Sequence, residues 1–175
     1  GHSAFLTLEL IREQVTTGTD LDTAVKSVAQ QCVFTTHTPV PAGNDTFDAA
    51  LMLEVLGSFL KEVCDDTETV LGLGRRHPND TLEPFGMTPL AIRLSRSANG
   101  VSKRHGEVCA RMWQQLWPDV PVEASPFKAV TNGVHHSTWV APLMRRLFDH
   151  FIGPDWALHA DDPEMWKRVD QIHDG

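Results

Sequence analysis

A histidine at the end of a predicted strand is the first residue of this sequence that could do chemistry. The segment Cys32–Thr36 is rich in strand-forming residues, and His37 follows it directly, ahead of Pro39 and Pro41. Because proline fixes the backbone φ angle, this loop is restricted and can present the His37 imidazole and backbone carbonyl to a ligand. The alternative is a histidine whose side chain only forms hydrogen bonds within the loop, and the sequence leaves both possibilities open.

A second candidate is an asparagine that also follows a strand-like segment. Asn132 lies in Thr131-Asn132-Gly133, after the β-prone run that begins at Phe127. The side-chain amide both donates and accepts hydrogen bonds, which suits the hydroxyl groups of a sugar. The alternative is a simple turn, because Asn-Gly is a common turn dipeptide, and Asn99-Gly100 presents the same choice.

Other types of site are not supported by the spacing of the residues. His105 and the adjacent pair His135-His136 have no HExxH or CxxC companion, so we expect no metal site. Gly72-Leu73-Gly74 follows no predicted strand and lacks the third glycine of a phosphate-binding loop. The tryptophans could stack on sugar rings, but most lie in predicted helices, where packing is the expected role.

The elements that must position these residues follow from hydrophobic periodicity. Amphipathic helices are predicted where apolar residues recur at helical spacing, in stripes made of Ala4, Leu8, Ile11 and Val15; of Met52, Leu56, Phe59, Leu60 and Val63; of Val108, Met112 and Leu116; and of Met144, Leu147, Phe148 and Phe151. Further helices are predicted over Leu21 to about Gln30 and after Thr88-Pro89 and Asp162-Pro163, the last with Met165, Val169 and Ile172. Expected N-caps are Ser3, Asp45 or Thr46, and Ser102, and 72–86 is expected to be a long surface loop.

Strands alternate with helices, which predicts an α/β fold with a parallel sheet. The predicted strands are Cys32–Thr36, Ala98–Val101 and Phe127–Thr131. In such sheets ligands bind at the carboxyl ends of the strands, which points to the loops 37–43, 99–102 and 132–136. We therefore expect His37 and Asn132 to face one cleft although they are far apart in sequence.

Composition limits the classes of function. The formal net charge of −8 argues against nucleic acid or an anionic membrane surface as a partner. The Cys count of 3, without CxxC spacing, favours free thiols in a reducing cytosol. No apolar run approaches the roughly 20 residues that span a bilayer, and no signal peptide is visible. The chain enters a helical pattern at once, so we expect a segment of a longer cytoplasmic protein.

Four segments resemble motifs of the α-glucan phosphorylases, the family of glycogen, starch and maltodextrin phosphorylases. These segments are Gly1–Leu6, Phe34–Gly43, Ala98–Glu107 and Thr131–Trp139. The second is similar to the family's T-x-H-T motif, the third to N-G-V-(S/A)-x-x-H, and the fourth to T-N-G-(V/I)-x-x-x-x-W. Their order and spacing fit from end to end, which implies an internal fragment of such an enzyme.

The resemblance implies a fold and a domain organisation. Members have a GT-B fold with two Rossmann-like domains and an active site in the cleft between them. Residues 1–135 would form the later part of the N-terminal Rossmann-like domain. Residues 136–175 would form a helical crossover toward a C-terminal domain that this chain lacks.

The resemblance also implies an activity and a role for each site residue. The family uses phosphate to cleave α-1,4-glucan or maltooligosaccharide, releasing glucose 1-phosphate. His37 matches a histidine whose side chain contacts the glucosyl 6-hydroxyl and whose carbonyl lies near the anomeric carbon, as a catalytic and substrate-binding residue. Asn132 matches an asparagine that binds the same hydroxyl. His2 matches a histidine in a segment that lines the pocket.

The family's cofactor is pyridoxal phosphate, and this sequence lacks the motif that holds it. None of the lysines lies in the family's E-A-S-G-T-x-N-M-K type of motif, so the resemblance implies a cofactor in the full-length parent but not in this fragment, which we expect to be inactive. It is also compatible with a homo-oligomeric parent. Two alternatives stay open: a sugar-nucleotide-dependent glycosyltransferase of the same fold, and a non-catalytic isolated domain.

Overall fold

The structure of the protein is a computed structural model that describes residues 1–172. The chain divides into two compact units, Gly1–Asn132 and Gly133–Gly175. Within the described residues, no helix has the length and apolar character that a membrane crossing requires.

The first unit contains most of the regular structure. Its helices are α1 (Phe5–Thr16), α2 (Leu21–Gln31), α3 (Ala49–Val63), α4 (Thr67–Leu73), α5 (Met87–Arg93) and α6 (Lys103–Met112). Its strands are β1 (Phe34–Thr36), β2 (Thr46–Phe47), β3 (Phe85–Gly86), β4 (Ala98–Gly100) and β5 (Phe127–Ala129). Short 3-10 helices cover His2–Ala4, Pro41–Gly43, Gln114–Leu116 and Val122–Ala124.

The main sheet has three parallel strands in the order β1-β4-β5. Phe34 pairs with Ala98 and Ala98 with Phe127, while Thr36 pairs with Gly100 and Gly100 with Ala129. The predicted α/β class with parallel strands alternating with helices is confirmed. Each strand is shorter than predicted. β1 is not fully buried either, because Thr36 is buried but Phe34 is half-buried and Thr35 is exposed.

A helical layer forms the larger hydrophobic core. Leu8 and Ile11 on α1 are buried, with Ala4 in the 3-10 turn before it, and so are Met52, Leu60 and Val63 on α3, as the periodicity predicted. Val15, Leu56 and Phe59 are half-buried against the same core. The core is completed by residues of α2, α4 and α5, among them Ala24, Val28, Val70, Leu71 and Leu90.

A smaller core lies between the sheet and α6, and here the predicted stripe is confirmed in part, because Met112 and Leu116 pack against this core without being fully buried. Val108, Met112 and Leu116 are only partly buried, whereas the buried face of α6 is Gly106, Cys109 and Ala110, followed by Trp113. The reason is close packing: a Cβ added at Gly106 would lie 3.0 Å from the Cβ of Ala129 on β5. Small residues let α6 approach the sheet, and that choice of face depends on the sheet rather than on helical periodicity.

Two N-cap predictions in the first unit were wrong. Ser3 does not cap α1, because a 3-10 turn over His2–Ala4 leads into that helix without a side-chain cap. Neither Asp45 nor Thr46 caps α3, since Thr46–Phe47 pairs antiparallel with Phe85–Gly86 and the helix begins only at Ala49.

The predicted surface loop over 72–86 is partly ordered and partly buried. Arg75 is 1% exposed; its Nη1 donates to Glu68 at 2.9 Å and its Nε donates to the Glu83 carbonyl at 3.0 Å. The guanidinium of Arg93 donates to the backbone carbonyls of Leu73, Arg75 and Arg76. Arg75, which is buried, and Arg93, which is half-buried, donate to backbone carbonyls and therefore hold this segment against α4 and α5.

The second unit contains α7 (His136–Trp139), α8 (Pro142–Phe151) and α9 (Pro163–Trp166), with 3-10 helices at Trp156–Leu158 and Lys167–Gln171. Asp162 caps α9 by accepting from the Glu164 amide at 2.9 Å. Phe148, Trp156 and Trp166 pack edge to face with centroid distances of 5.2 to 6.1 Å. The predicted packing role is confirmed for these two tryptophans, whereas Trp139 is 78% exposed.

The cysteines allow a chemical test of the packing of α6. Cys32 and Cys64 are partly exposed, whereas Cys109 is buried at 1% exposure and burial raises its pKa. Because the thiolate is the reacting species, iodoacetamide should label Cys32 and Cys64 in the native chain well before Cys109, as peptide mass spectrometry would show. In denaturant the three should react alike. A native Cys109 that reacts as fast as Cys32 would contradict this packing.

Candidate functional site

The loop that carries His37 leaves the carboxyl end of β1. The Thr36 hydroxyl donates to the Thr38 carbonyl at 3.4 Å, and the Thr38 hydroxyl accepts from the Val40 amide at 3.5 Å. The loop folds back closely, since a Cβ added at Gly43 would lie 2.2 Å from the Thr38 Cγ2. The His37 side chain is exposed and makes no hydrogen bond to the described part of the chain. It is therefore available to a ligand.

The carboxyl end of β4 continues into α6 through Val101 and Ser102. Ser102 caps the helix as predicted, because its hydroxyl accepts from the His105 amide at 3.1 Å. The Val101 amide donates to the Nδ1 atom of His105 at 3.2 Å. This loop is thus fixed by a side chain from the first turn of the helix that follows it.

Asn132 lies beyond β5, which ends at Ala129 rather than at Thr131. The chain nevertheless stays beside β4: the Val130 amide donates to the Gly100 carbonyl at 3.0 Å, and the Asn132 amide donates to the Val101 carbonyl at 3.1 Å. The Asn132 side chain is exposed and forms no hydrogen bond with residues 1–172. Backbone contacts therefore hold an otherwise free side-chain amide at the end of the sheet.

His37 and Asn132 are brought to the same edge of the sheet. β1 and β5 lie on either side of β4. His37 follows Thr36, the partner of Gly100, on one side, and the Asn132 amide contacts the Val101 carbonyl on the other. Two strand spacings separate β1 from β5 by about 10 Å. The polar groups thus gathered at this edge are an imidazole, an amide and backbone carbonyls. Such groups are hydrogen-bonding partners for hydroxyl groups.

His2 lies beside a different part of the chain. Its Nδ1 is 3.7 Å from the Asp45 carboxylate, and its ring centroid is 6.0 Å from that of Phe47. No hydrogen bond within residues 1–172 joins His2 to His37 or Asn132. A contribution of His2 to the same pocket stays a prediction.

Asp45 also lines a cavity of about 440 Å³. Its walls include Asn44, Arg76, Glu83, Thr88 and Trp113. Trp113 is only 4% exposed, and the Arg76 guanidinium lies 5.4 Å from its ring centroid. Its ring is therefore occupied by packing and by a cation–π contact, which leaves no aromatic platform here for a sugar ring.

A metal-dependent site has no structural support in the described chain. Within residues 1–172, no group of three or more His, Cys, Asp or Glu side chains is placed to hold a metal ion. His135, which the sequence analysis considered as a ligand, pairs instead with the Thr138 hydroxyl at 2.7 Å.

His105 is a residue at this edge with a role that its sequence pattern did not predict. It was considered only as a metal ligand, whereas the structure places its ring against the Val101 amide. A signal was present in the sequence: Ser102 caps the helix, and the third residue after a cap lies in the first turn. From there a side chain can reach back to the loop that enters the helix.

The sequence is similar to proteins of one family over almost its whole length. A family model described as carbohydrate phosphorylase matches residues 1–173. A maltodextrin phosphorylase of Thermococcus litoralis is 38% identical over 174 residues, which covers 99% of this chain and 20% of that protein. A glycogen phosphorylase of Mycobacterium tuberculosis is 37% identical over 183 residues, which covers 98% of this chain and 20% of that protein. A glycogen phosphorylase of Aquifex aeolicus is 34% identical over 174 residues, which covers 99% of this chain and 24% of that protein. The chain thus spans about a fifth to a quarter of the length of these relatives.

Proposed function

The chain belongs to the carbohydrate phosphorylase family, and from that premise we propose that its full-length protein is an α-glucan phosphorylase. In the proposed reaction, phosphate attacks the terminal glucosyl unit of an α-1,4-glucan or maltooligosaccharide. The glycosidic bond breaks, and glucose 1-phosphate and a shortened glucan leave. The observation that carries the proposal is the placement of His37 and Asn132 on either side of Val101 at one edge of the sheet.

The proposed roles follow from the chemistry of the groups at this edge. The Asn132 amide and the His37 imidazole, both exposed, would bind the 6-hydroxyl of the glucosyl unit. The His37 carbonyl would stabilise the positive charge that develops at the anomeric carbon as the bond breaks. His2 is proposed to line the pocket. Each role is assigned through the matching family motif and is supported by the position of the residue.

A larger fold is part of the same proposal. We assign the three-stranded parallel sheet to a Rossmann-like domain of a GT-B fold, with residues 1–135 in its later part. Residues 136–175 would lead toward a second domain that completes the cleft. The parallel order β1-β4-β5, with α6 connecting toward β5, supports this assignment.

The residues present do not fit a pyridoxal phosphate site. A lysine that forms a Schiff base is normally desolvated in a pocket. Here every lysine is exposed: Lys26, Lys61, Lys103, Lys128 and Lys167. The cofactor and the phosphate substrate of the full-length enzyme would therefore be held by other parts of the protein. We propose that the 175-residue chain alone has no turnover.

The assay that tests the proposal uses the full-length protein with maltodextrin and phosphate. We expect release of glucose 1-phosphate, detected by an enzyme-coupled assay. Glucosyl transfer from a sugar nucleotide, with no phosphate-dependent release, would instead indicate the glycosyltransferase alternative, which the names of the relatives do not favour. The proposed setting is the cytoplasm, with neither nucleic acid nor membrane as a partner, in keeping with the net charge of −8.

The isolated chain is proposed to bind sugar weakly at most. Only one wall of the cleft would be present, and few contacts rarely overcome the entropic cost of association. A titration of the 175-residue chain with maltooligosaccharide, followed by tryptophan fluorescence, should show weak or undetectable binding. A dissociation constant in the low micromolar range would contradict this and support a binding module.

A further inference from the structure

His105 is linked to Asn132 through a short chain of hydrogen bonds. The Nδ1 atom of His105 accepts from the Val101 amide at 3.2 Å. The carbonyl of Val101 in turn accepts from the Asn132 amide at 3.1 Å. The Nε2 atom of His105 is buried and has no hydrogen-bond partner within residues 1–172, so Nδ1 makes the polar contact of this ring.

This link matters because Asn132 lies outside regular structure. β5 ends at Ala129, and beyond it the contacts that keep the chain beside β4 are those of Val130 with Gly100 and of Asn132 with Val101. A displacement of Val101 would therefore move the acceptor that holds Asn132.

The backbone of His105 is itself held in place at the start of α6. The His105 amide donates to the Ser102 hydroxyl at 3.1 Å at the start of α6. The first turn presses on the end of β4, since a Cβ added at Gly100 would lie 2.9 Å from the His105 carbonyl carbon. Held at both its backbone and its ring, His105 fixes the loop between β4 and α6.

We propose that His105 is a positioning residue for the sugar site: through Val101, its imidazole sets the position of Asn132. This rests on the proposed function, in which Asn132 binds substrate. Because the Val101 amide is a donor, Nδ1 must be unprotonated, and the neutral ring then carries its proton on Nε2. His105 itself need not touch substrate.

Three substitutions separate this role from general packing. The side-chain amide oxygen of His105→Asn can accept at the position of Nδ1, whereas His105→Gln places its amide near the position of Nε2. His105→Leu has no acceptor. We expect His105→Asn to keep the contact with Val101, and His105→Gln and His105→Leu to lose it.

The first readout is amide hydrogen exchange in the 175-residue chain, measured by NMR. Exchange at Val101 and Asn132 should quicken about 10-fold in His105→Leu and His105→Gln and stay near wild type in His105→Asn. The Ile11 amide, in the helical core, should not change and serves as the control. If His105→Leu does not fold, the difference in exchange between His105→Asn and His105→Gln tests the proposal.

The second readout is kcat/KM of the full-length enzyme. It should fall about 2- to 10-fold in His105→Leu, because one hydrogen bond is lost, and it should recover in His105→Asn. Equal behaviour of His105→Asn and His105→Gln in both readouts would overturn the proposal. So would wild-type exchange at Val101 and Asn132 in His105→Leu. If the proposed function fails instead, the result is different. Asn132→Ala would leave kcat/KM unchanged, while amide exchange at Val101 and Asn132 would still quicken in His105→Leu and His105→Gln.

Discussion

Replacing Asn132 with alanine in the full-length enzyme should lower kcat/KM for glucan phosphorolysis by about 5- to 150-fold. This range corresponds to the loss of one or two hydrogen bonds to substrate, about 1–3 kcal/mol of transition-state binding. The side chain is exposed and makes no hydrogen bond within residues 1–172, so the substitution removes the proposed contact to substrate and no side-chain hydrogen bond of the described fold. Steady-state kinetics with maltodextrin and phosphate measure the effect.

A matched control and a modified substrate make this test specific. Asn79 is an exposed asparagine between α4 and β3, and Asn79→Ala should leave kcat/KM near wild type. With a donor whose terminal glucosyl unit lacks the 6-hydroxyl, the wild type should lose activity and Asn132→Ala should lose little more, because both changes remove the same contact. Additive losses would show that Asn132 does not bind this hydroxyl. A loss no greater than that of Asn79→Ala would remove Asn132 from the site.

His37→Ala should cost at least as much as Asn132→Ala. The imidazole is one proposed contact to the 6-hydroxyl, and the same residue contributes the carbonyl proposed to lie near the anomeric carbon. The loop is compact, with Gly43 packed against Thr38, so a change at His37 also acts on the backbone that places this carbonyl. A loss in kcat for His37→Ala beyond that for Asn132→Ala would distinguish the carbonyl's role from hydroxyl binding.

Local features of the fold could be predicted from the sequence, and features set by distant contacts could not. The stripe of Ala4, Leu8 and Ile11 and the cap at Ser102 depend on residues a few positions apart. The pairing of Thr46–Phe47 with Phe85–Gly86 joins segments about forty residues apart, and two residues are too few to show a strand period. Because this pairing places Thr46 and Phe47 in a strand, α3 begins at Ala49, later than the predicted cap at Asp45 or Thr46 indicated.

The same distinction applies to the site. His37 and Asn132 were predicted as candidates because each follows a strand, and parallel strands end along one edge. The role of Val101 between them was not predictable, since it depends on which strands are neighbours and on which hydrogen bonds continue beyond them. The buried face of α6 was also missed, because a glycine at position 106 contributes nothing to a hydrophobic stripe yet permits a close approach to β5.

The start of α6 also packs closely against β4 at Gly100, and Gly100→Ala is therefore the substitution with the largest expected effect on stability. An added Cβ would lie 2.7 Å from the Gly106 amide nitrogen, 2.9 Å from the His105 carbonyl carbon and 3.1 Å from the Gly106 Cα. All three are backbone atoms, so no side-chain rotation can relieve the overlap, and α6 would have to move away from β4. The substitution should lower the free energy of unfolding by about 3 kcal/mol, the upper end of the cost of overpacking.

Urea unfolding of the 175-residue chain, followed by far-UV circular dichroism, would measure this change. Gly57→Ala is the matched control: it lies inside α3, an added Cβ meets no atom within 4 Å, and alanine should stabilise the helix by about 0.5–1 kcal/mol. If Gly100→Ala unfolds at the wild-type urea concentration, α6 does not press on β4 as described. If it is destabilised, amide exchange at Val101 and Asn132 should rise in the same variant. The first turn of α6 carries His105, so moving the helix away from the sheet moves the group that holds the Val101 loop.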